Sequence, residues 1–151
     1  MDWNKDKSVM LSRICIVVFT GLLAIADICA YWLVSWFIRV SHTLNGLTDR
    51  ILLMITVYSC SICAWILLVN LWKLLTNIQK GMLFEMTSVK HLRITSWCCL
   101  GVCVICLLST LYYKPFILMS IAAGFMALIV RIIKNVFEQA ISMKNELDFT
   151  V

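Results

Sequence analysis

The chain has 151 residues, 62% of them hydrophobic and 14% charged, with 13 Lys and Arg against 8 Asp and Glu. That balance, with a mean hydropathy of +0.95, excludes an ordinary water-soluble domain, where charged residues make up roughly a quarter of the sequence. The net charge of +5 is explained more simply by anionic lipid headgroups than by nucleic acid, so no direct nucleic-acid role is expected.

A helix needs roughly 20 apolar residues to cross a bilayer core. The first such run is Ile14–Ile38. Ala24-Ile25-Ala26 imitates a signal-peptide cleavage site, but Ile28 to Ile38 stay apolar, which favours an uncleaved span. Asn45-Gly46 then marks a turn within Ser41–Asp49. The second run is Ile51–Trp72. The connection Lys73–Arg93 follows, broken by Gly81, with Phe84 and Met86 in its middle and Thr87 or Ser88 placed to cap a helix starting at Val89. The third run, Ile94–Tyr113, is separated from the fourth, Pro115–Ile133, by almost nothing, so the two form a tight antiparallel pair. Pro115 suits a first helical turn.

The helical pattern does not stop at Ile133. Ile132, Ile133, Val136, Phe137, Ala140 and Ile141 form a stripe along a tail helix over residues 134–151, uninterrupted by Gly or Pro. The expected architecture is all-α: one membrane domain over residues 1–151, a four-span transmembrane helical bundle whose fourth helix extends into the cytoplasm. Of the 13 Lys and Arg, only Arg39, Arg50 and Lys114 fall on one side of the membrane. The positive-inside rule therefore places both termini in the cytoplasm of a multi-pass cell-membrane protein. Trp32, Trp36, Tyr112 and Tyr113 fall at one interface and Trp72 and Trp97 at the other, while Trp65 lies deeper.

Gly81-x-x-Phe84 followed by Ser88-Val89-x-x-Leu92-Arg93 resembles the inner loop of the small four-span bacterial membrane proteins typified by YoaS, an uncharacterised family. The run Val130-Arg131-Ile132-Ile133-Lys134-Asn135-Val136-Phe137 and the ending Glu146-Leu147-Asp148-Phe149-Thr150-Val151 resemble the same family, over the whole chain. Two departures stand out. Ser88 occupies a position expected as Asn, and the ending reads Asp-Phe-Thr-Val rather than Leu-Thr-Ile after the acidic residue. Members are often encoded beside a Cro-type helix-turn-helix regulator. The resemblance thus implies regulatory pairing at a bacterial inner membrane.

Asp27 lies near the middle of the first span. An ionised carboxylate there costs roughly 2.5–3.5 kcal/mol even on insertion scales, so it must face protein or water or stay protonated. Its expected neighbours by depth are Ser59, Ser61, Cys103, Cys106 and Ser120 near Gly124. It reads either as a proton or cation site in a transporter or sensor, or as a carboxyl that fixes helix packing. Cys60-x-x-Cys63 and Cys103-x-x-Cys106, with Cys98 and Cys99, suggest a thiol oxidoreductase. Those pairs fall near mid-membrane, the other-side connections hold no cysteine, and packing explains them without added chemistry. His42 and His91 lie on opposite sides and read as solvated interfacial residues. Asn70 reads as a packing hydrogen-bond donor. Ser120-x-x-x-Gly124 and Ala123-x-x-x-Ala127 permit close helix contact, within the chain or in a homo-oligomer.

No catalytic motif occurs, so no enzyme, cofactor or metal site is expected. The leading reading is a regulatory membrane protein that docks a cytoplasmic transcriptional regulator through Phe84, Arg93, Arg131, Lys134, Phe137 and Glu138. The alternatives are a proton-coupled transporter or exporter centred on Asp27 and, behind it, the thiol oxidoreductase. The tail's stripe has three candidate fates: lying on headgroups, packing on its own inner loop, or binding a partner.

Overall fold

The computed structural model describes residues 3–41, 47–79 and 85–149, and every regular element among them is an α-helix. The order is α1 (Trp3–Ile28), α2 (Ala30–Val40), α3 (Leu47–Gln79), α4 (Met86–Ser109) and α5 (Phe116–Phe149). Helical segments long and apolar enough to cross a membrane are Val9–Ile28, Leu47–Gln79, Met86–Ser109 and Phe116–Leu147. The protein is an all-α, four-span membrane bundle.

The first span differs from a single helix. At Cys29 the backbone turns to φ −86°, ψ 2°, ending α1 and starting α2. The Cys29 N–H still donates to Ile25 C=O at 2.9 Å, and Leu33 N–H to Cys29 C=O at 2.9 Å, so the break is a local dislocation of the helix. Neither Pro nor Gly stands there to announce it. α4 also starts earlier than its expected cap. Glu85 is extended and precedes Met86, and Ser88 N–H donates to Glu85 C=O at 3.0 Å. Thr87 and Ser88 therefore belong to the first turn, and Ser88 is only 1% exposed. Burial decides this position over the general preference of serine for caps. Pro115 sits just before α5, its carbonyl accepting from Leu118 N–H at 3.2 Å.

The helices pack in chain order: α1 and α2 on α3, α3 on α4, and α4 antiparallel along α5. Among the described residues α1 touches no helix except α3 and its own continuation α2. An apolar groove of about 470 Å³ lies between α2, α3 and the start of α5, with Ala30, Val34, Leu53, Phe116 and Met119 in its walls. The α4–α5 seam is close because its residues are small. Ser120 Oγ donates to Cys103 C=O at 2.9 Å, and Ser96 Oγ donates to Ala127 C=O at 3.2 Å. A Cβ added at Gly124 would lie 3.2 Å from Cys103 Sγ, tighter than an ordinary contact. The Ser120, Gly124 and Ala127 spacing is thus used inside the chain. At the end that carries the α4–α5 turn, Thr56 Oγ1 meets Ser109 Oγ at 2.9 Å and Tyr112 OH at 2.7 Å, and Phe37 stacks edge-on to Tyr113 at 5.4 Å.

Candidate functional site

Two polar clusters are each built around a carboxylate, Asp27 and Glu138. The first is built on Asp27, half-buried in the last turn of α1. Ser61 Oγ donates to Asp27 Oδ1 at 2.6 Å, and Trp65 Nε1–H donates to Oδ2 at 2.8 Å. Ser61 and Trp65 are four residues apart and share one face of α3, so one carboxylate is clasped by two consecutive turns. Of the neighbours expected by depth, only Ser61 is there. Ser59 lies two residues from Ser61, on another face of α3. Cys103 and Ser120 face each other instead, 3.5 Å apart between Sγ and Oγ, and Cys106 is buried within α4. The sequence sets Trp65 deep in its span but does not match it to Asp27. The usable signal was that a deep indole N–H needs an acceptor and a deep carboxylate needs donors.

The second cluster lies at the opposite end of the bundle from the α4–α5 turn, where α4 begins and α5 continues. Lys134 Nζ lies 2.7 Å from Glu138 Oε2, and Arg93 Nη2 lies 3.8 Å from Glu138 Oε1. The hydrogen bond from Lys134 holds the Glu138 carboxyl below its ordinary range, with the charges of Lys134 and Arg93 adding to the effect. Arg131 lines the same cleft as Arg93 and Lys134, and among the described residues it forms no ion pair. The cleft holds about 290 Å³, and Ser96, Trp97 and Leu100 complete its walls. Four of the six docking candidates, Arg93, Arg131, Lys134 and Glu138, therefore come together. Phe137 is half-buried beside them, and Phe84 lies outside the described residues. Ser96 and Trp97 were not singled out for this site. They follow from Arg93 by helical spacing, three and four residues on.

α5 runs unbroken for 34 residues, about 50 Å at 1.5 Å per residue, well beyond one bilayer core. Its apolar stripe divides. Ile141 is 4% exposed, so that side of the tail is buried against the rest of the chain. Part of the stripe is thus used inside the molecule. Another part, with Ile132 and Val136, and Met143 further along the same side, stands exposed. One further link is close by. His91 Nδ1–H donates to Asn70 Oδ1 at 2.9 Å, while Asn70 Nδ2 donates to Ile66 C=O at 2.8 Å. His91 is tied between α3 and α4 here, rather than solvated as its sequence position suggested.

All eight cysteines are free thiols. Among the described residues, no three His, Cys, Asp or Glu side chains are grouped to hold a metal ion. A family model described as "Protein of unknown function (DUF2975)" matches residues 34–151. That stretch takes in the Arg93–Arg131–Lys134–Glu138 cluster and the tail, but not Asp27. No curated protein and no solved structure matches the chain.

Proposed function

The chain belongs to that family of unknown function, and from its geometry we propose a non-enzymatic regulatory membrane protein that docks a cytoplasmic protein on the free side of its tail helix. The observation that carries this reading is the division of the α5 stripe. One side of the tail, at Ile141, is buried against the rest of the chain. The opposite side presents Ile132 at the end of the apolar run and Val136 and Met143 after it, all more than half exposed. The distribution of Lys and Arg supports placing this end, with both termini, in the cytoplasm. The YoaS-like loop and tail motifs support a small helix-turn-helix regulator as the occupant.

The test is co-expression with a Cro-type helix-turn-helix regulator of the kind the resemblance implies beside the gene, followed by membrane fractionation. The regulator is expected in the membrane fraction with the full chain, and in the soluble fraction with Val136→Asp plus Met143→Asp. A regulator that stays soluble throughout, or stays membrane-bound with the double variant, contradicts the proposal.

Asp27 supports a second reading, a small proton-coupled transporter, because the helix break at Cys29 follows it directly and interrupted spans line ion sites in transporters. That reading requires Asp27→Asn to abolish transport while leaving the melting temperature unchanged.

A further inference from the structure

The cleft between α4 and α5 has a chemistry of its own, on a different side of the tail from the docking ridge. Counting 100° per residue, Arg131, Lys134 and Glu138 face α4, and Ile132, Val136 and Met143 lie roughly opposite. Around the cleft stand two guanidinium groups and one ammonium, against the single carboxylate of Glu138. Lys134 is the closest partner of that carboxylate. At 3.8 Å, Arg93 is beyond hydrogen-bond range of it, so the Arg93 fork and the unpaired Arg131 remain able to take a bidentate anion.

What surrounds these cations selects the kind of anion. Trp97, one turn above Arg93, is 64% exposed, and Leu100 and the exposed Val104 continue the same face of α4. Positions 93, 97, 100 and 104 thus run from a cation, through an amphipathic indole, into an apolar track along the membrane-spanning part of the helix. A free phosphate uses only the first part of that series. A phospholipid uses all of it, with its headgroup at the cations and an acyl chain along Trp97, Leu100 and Val104. Ser96, whose hydroxyl is spent on Ala127 C=O, closes the floor between the helices.

We propose that this cleft binds the phosphodiester headgroup of one anionic phospholipid, held by Arg93, Arg131 and Lys134, with Trp97 at the headgroup boundary. The bound anion offsets one of the two excess positive charges and ties the root of the tail helix to α4. The site stands independently of the docking ridge, whose side chains take no part in it.

The experiment is native mass spectrometry of the full chain released from mild detergent, with phosphatidylglycerol and phosphatidylcholine offered together. The wild-type chain is expected to retain one phosphatidylglycerol in preference to phosphatidylcholine. Arg131→Gln and Arg93→Gln should each lower that retention about tenfold, the equivalent of one charge-assisted contact. Arg131→Lys, which keeps the charge but loses the fork, should fall between. Arg39→Gln, at the other end of the bundle, should bind as wild type, and the melting temperature of each variant in detergent shows that it is folded. Inorganic phosphate at equal concentration should not displace the lipid. Equal retention of the two lipids, unchanged retention in folded Arg131→Gln and Arg93→Gln, or displacement by inorganic phosphate overturns the proposal.

Discussion

Asp27 and Glu138 are both carboxylates with two partners, and their surroundings give those partners opposite weights. Asp27 accepts from the neutral donors Ser61 and Trp65 on another helix, at the level of the bilayer core. Water is scarce there, so a donor left without an acceptor loses most of its hydrogen-bond energy. Glu138 is held by full charges, yet its side chain is 40% exposed and its nearest partner, Lys134, lies on the same helix. Water and salt screen that cluster, and little of its energy joins one helix to another. The neutral clasp therefore holds the fold, and the charged cluster sets what the protein's surface can attract.

The largest effect should come from Asp27→Ala, which removes the one polar link seen at this depth between α1 and α3 and orphans two donors. The fall in stability in detergent unfolding is expected to exceed that of every other variant named below. Equal or smaller loss than for Glu138→Gln would break the comparison. Gly124→Val comes next, at roughly 1–3 kcal/mol, because its new Cβ meets Cys103 Sγ at the tightest point of the α4–α5 seam. Cys103→Ala in the same chain should return part of that loss, and a strictly additive double variant would show the seam to be looser than described. Asn70→Ala should lose about 0.6 kcal/mol, the average for polar links between membrane helices, by releasing His91.

The smallest effect is the pH dependence of the Glu138 cluster. The folded protein holds this carboxyl below its ordinary value of 4.5, so its contribution is present above that value and fades as the pH falls through the lowered one. The difference in melting temperature between wild type and Glu138→Gln should accordingly shrink from pH 7 toward pH 3. A difference that grows on acidification would mean that Glu138 is held in its protonated form.

Span number, span order and the extension of the fourth helix were legible in hydropathy and periodicity, because a bilayer imposes length and apolarity on whatever crosses it. Cys29 shows where that legibility ends: the break arises without Gly or Pro, so no local rule marks it. The tail stripe shows a second boundary. Its apolar residues wrap further round the helix than one contact needs, and periodicity alone does not divide the buried Ile141 from Val136, left outside. At the candidate site, Arg93, Arg131, Lys134 and Glu138 were legible as basic residues and an i, i+4 pair. Their meeting across two helices depends on the α4–α5 register, which Ser96, Ser120 and Gly124 set through close contacts. Trp65 was missed as a partner of Asp27 because depth was matched only among small polar residues.

The tail helix has one side buried within the chain and one side that we propose is offered to a cytoplasmic protein. Site-specific photo-crosslinking in intact cells tests it directly, with the probe placed at Ile141 in one chain and at Met143 in another. From Ile141 the expected product is an internal link within the chain only. From Met143 the expected product is a discrete adduct with a helix-turn-helix regulator. Adducts from Met143 to lipid or to the chain itself alone, or an external protein adduct from Ile141, would contradict the claim.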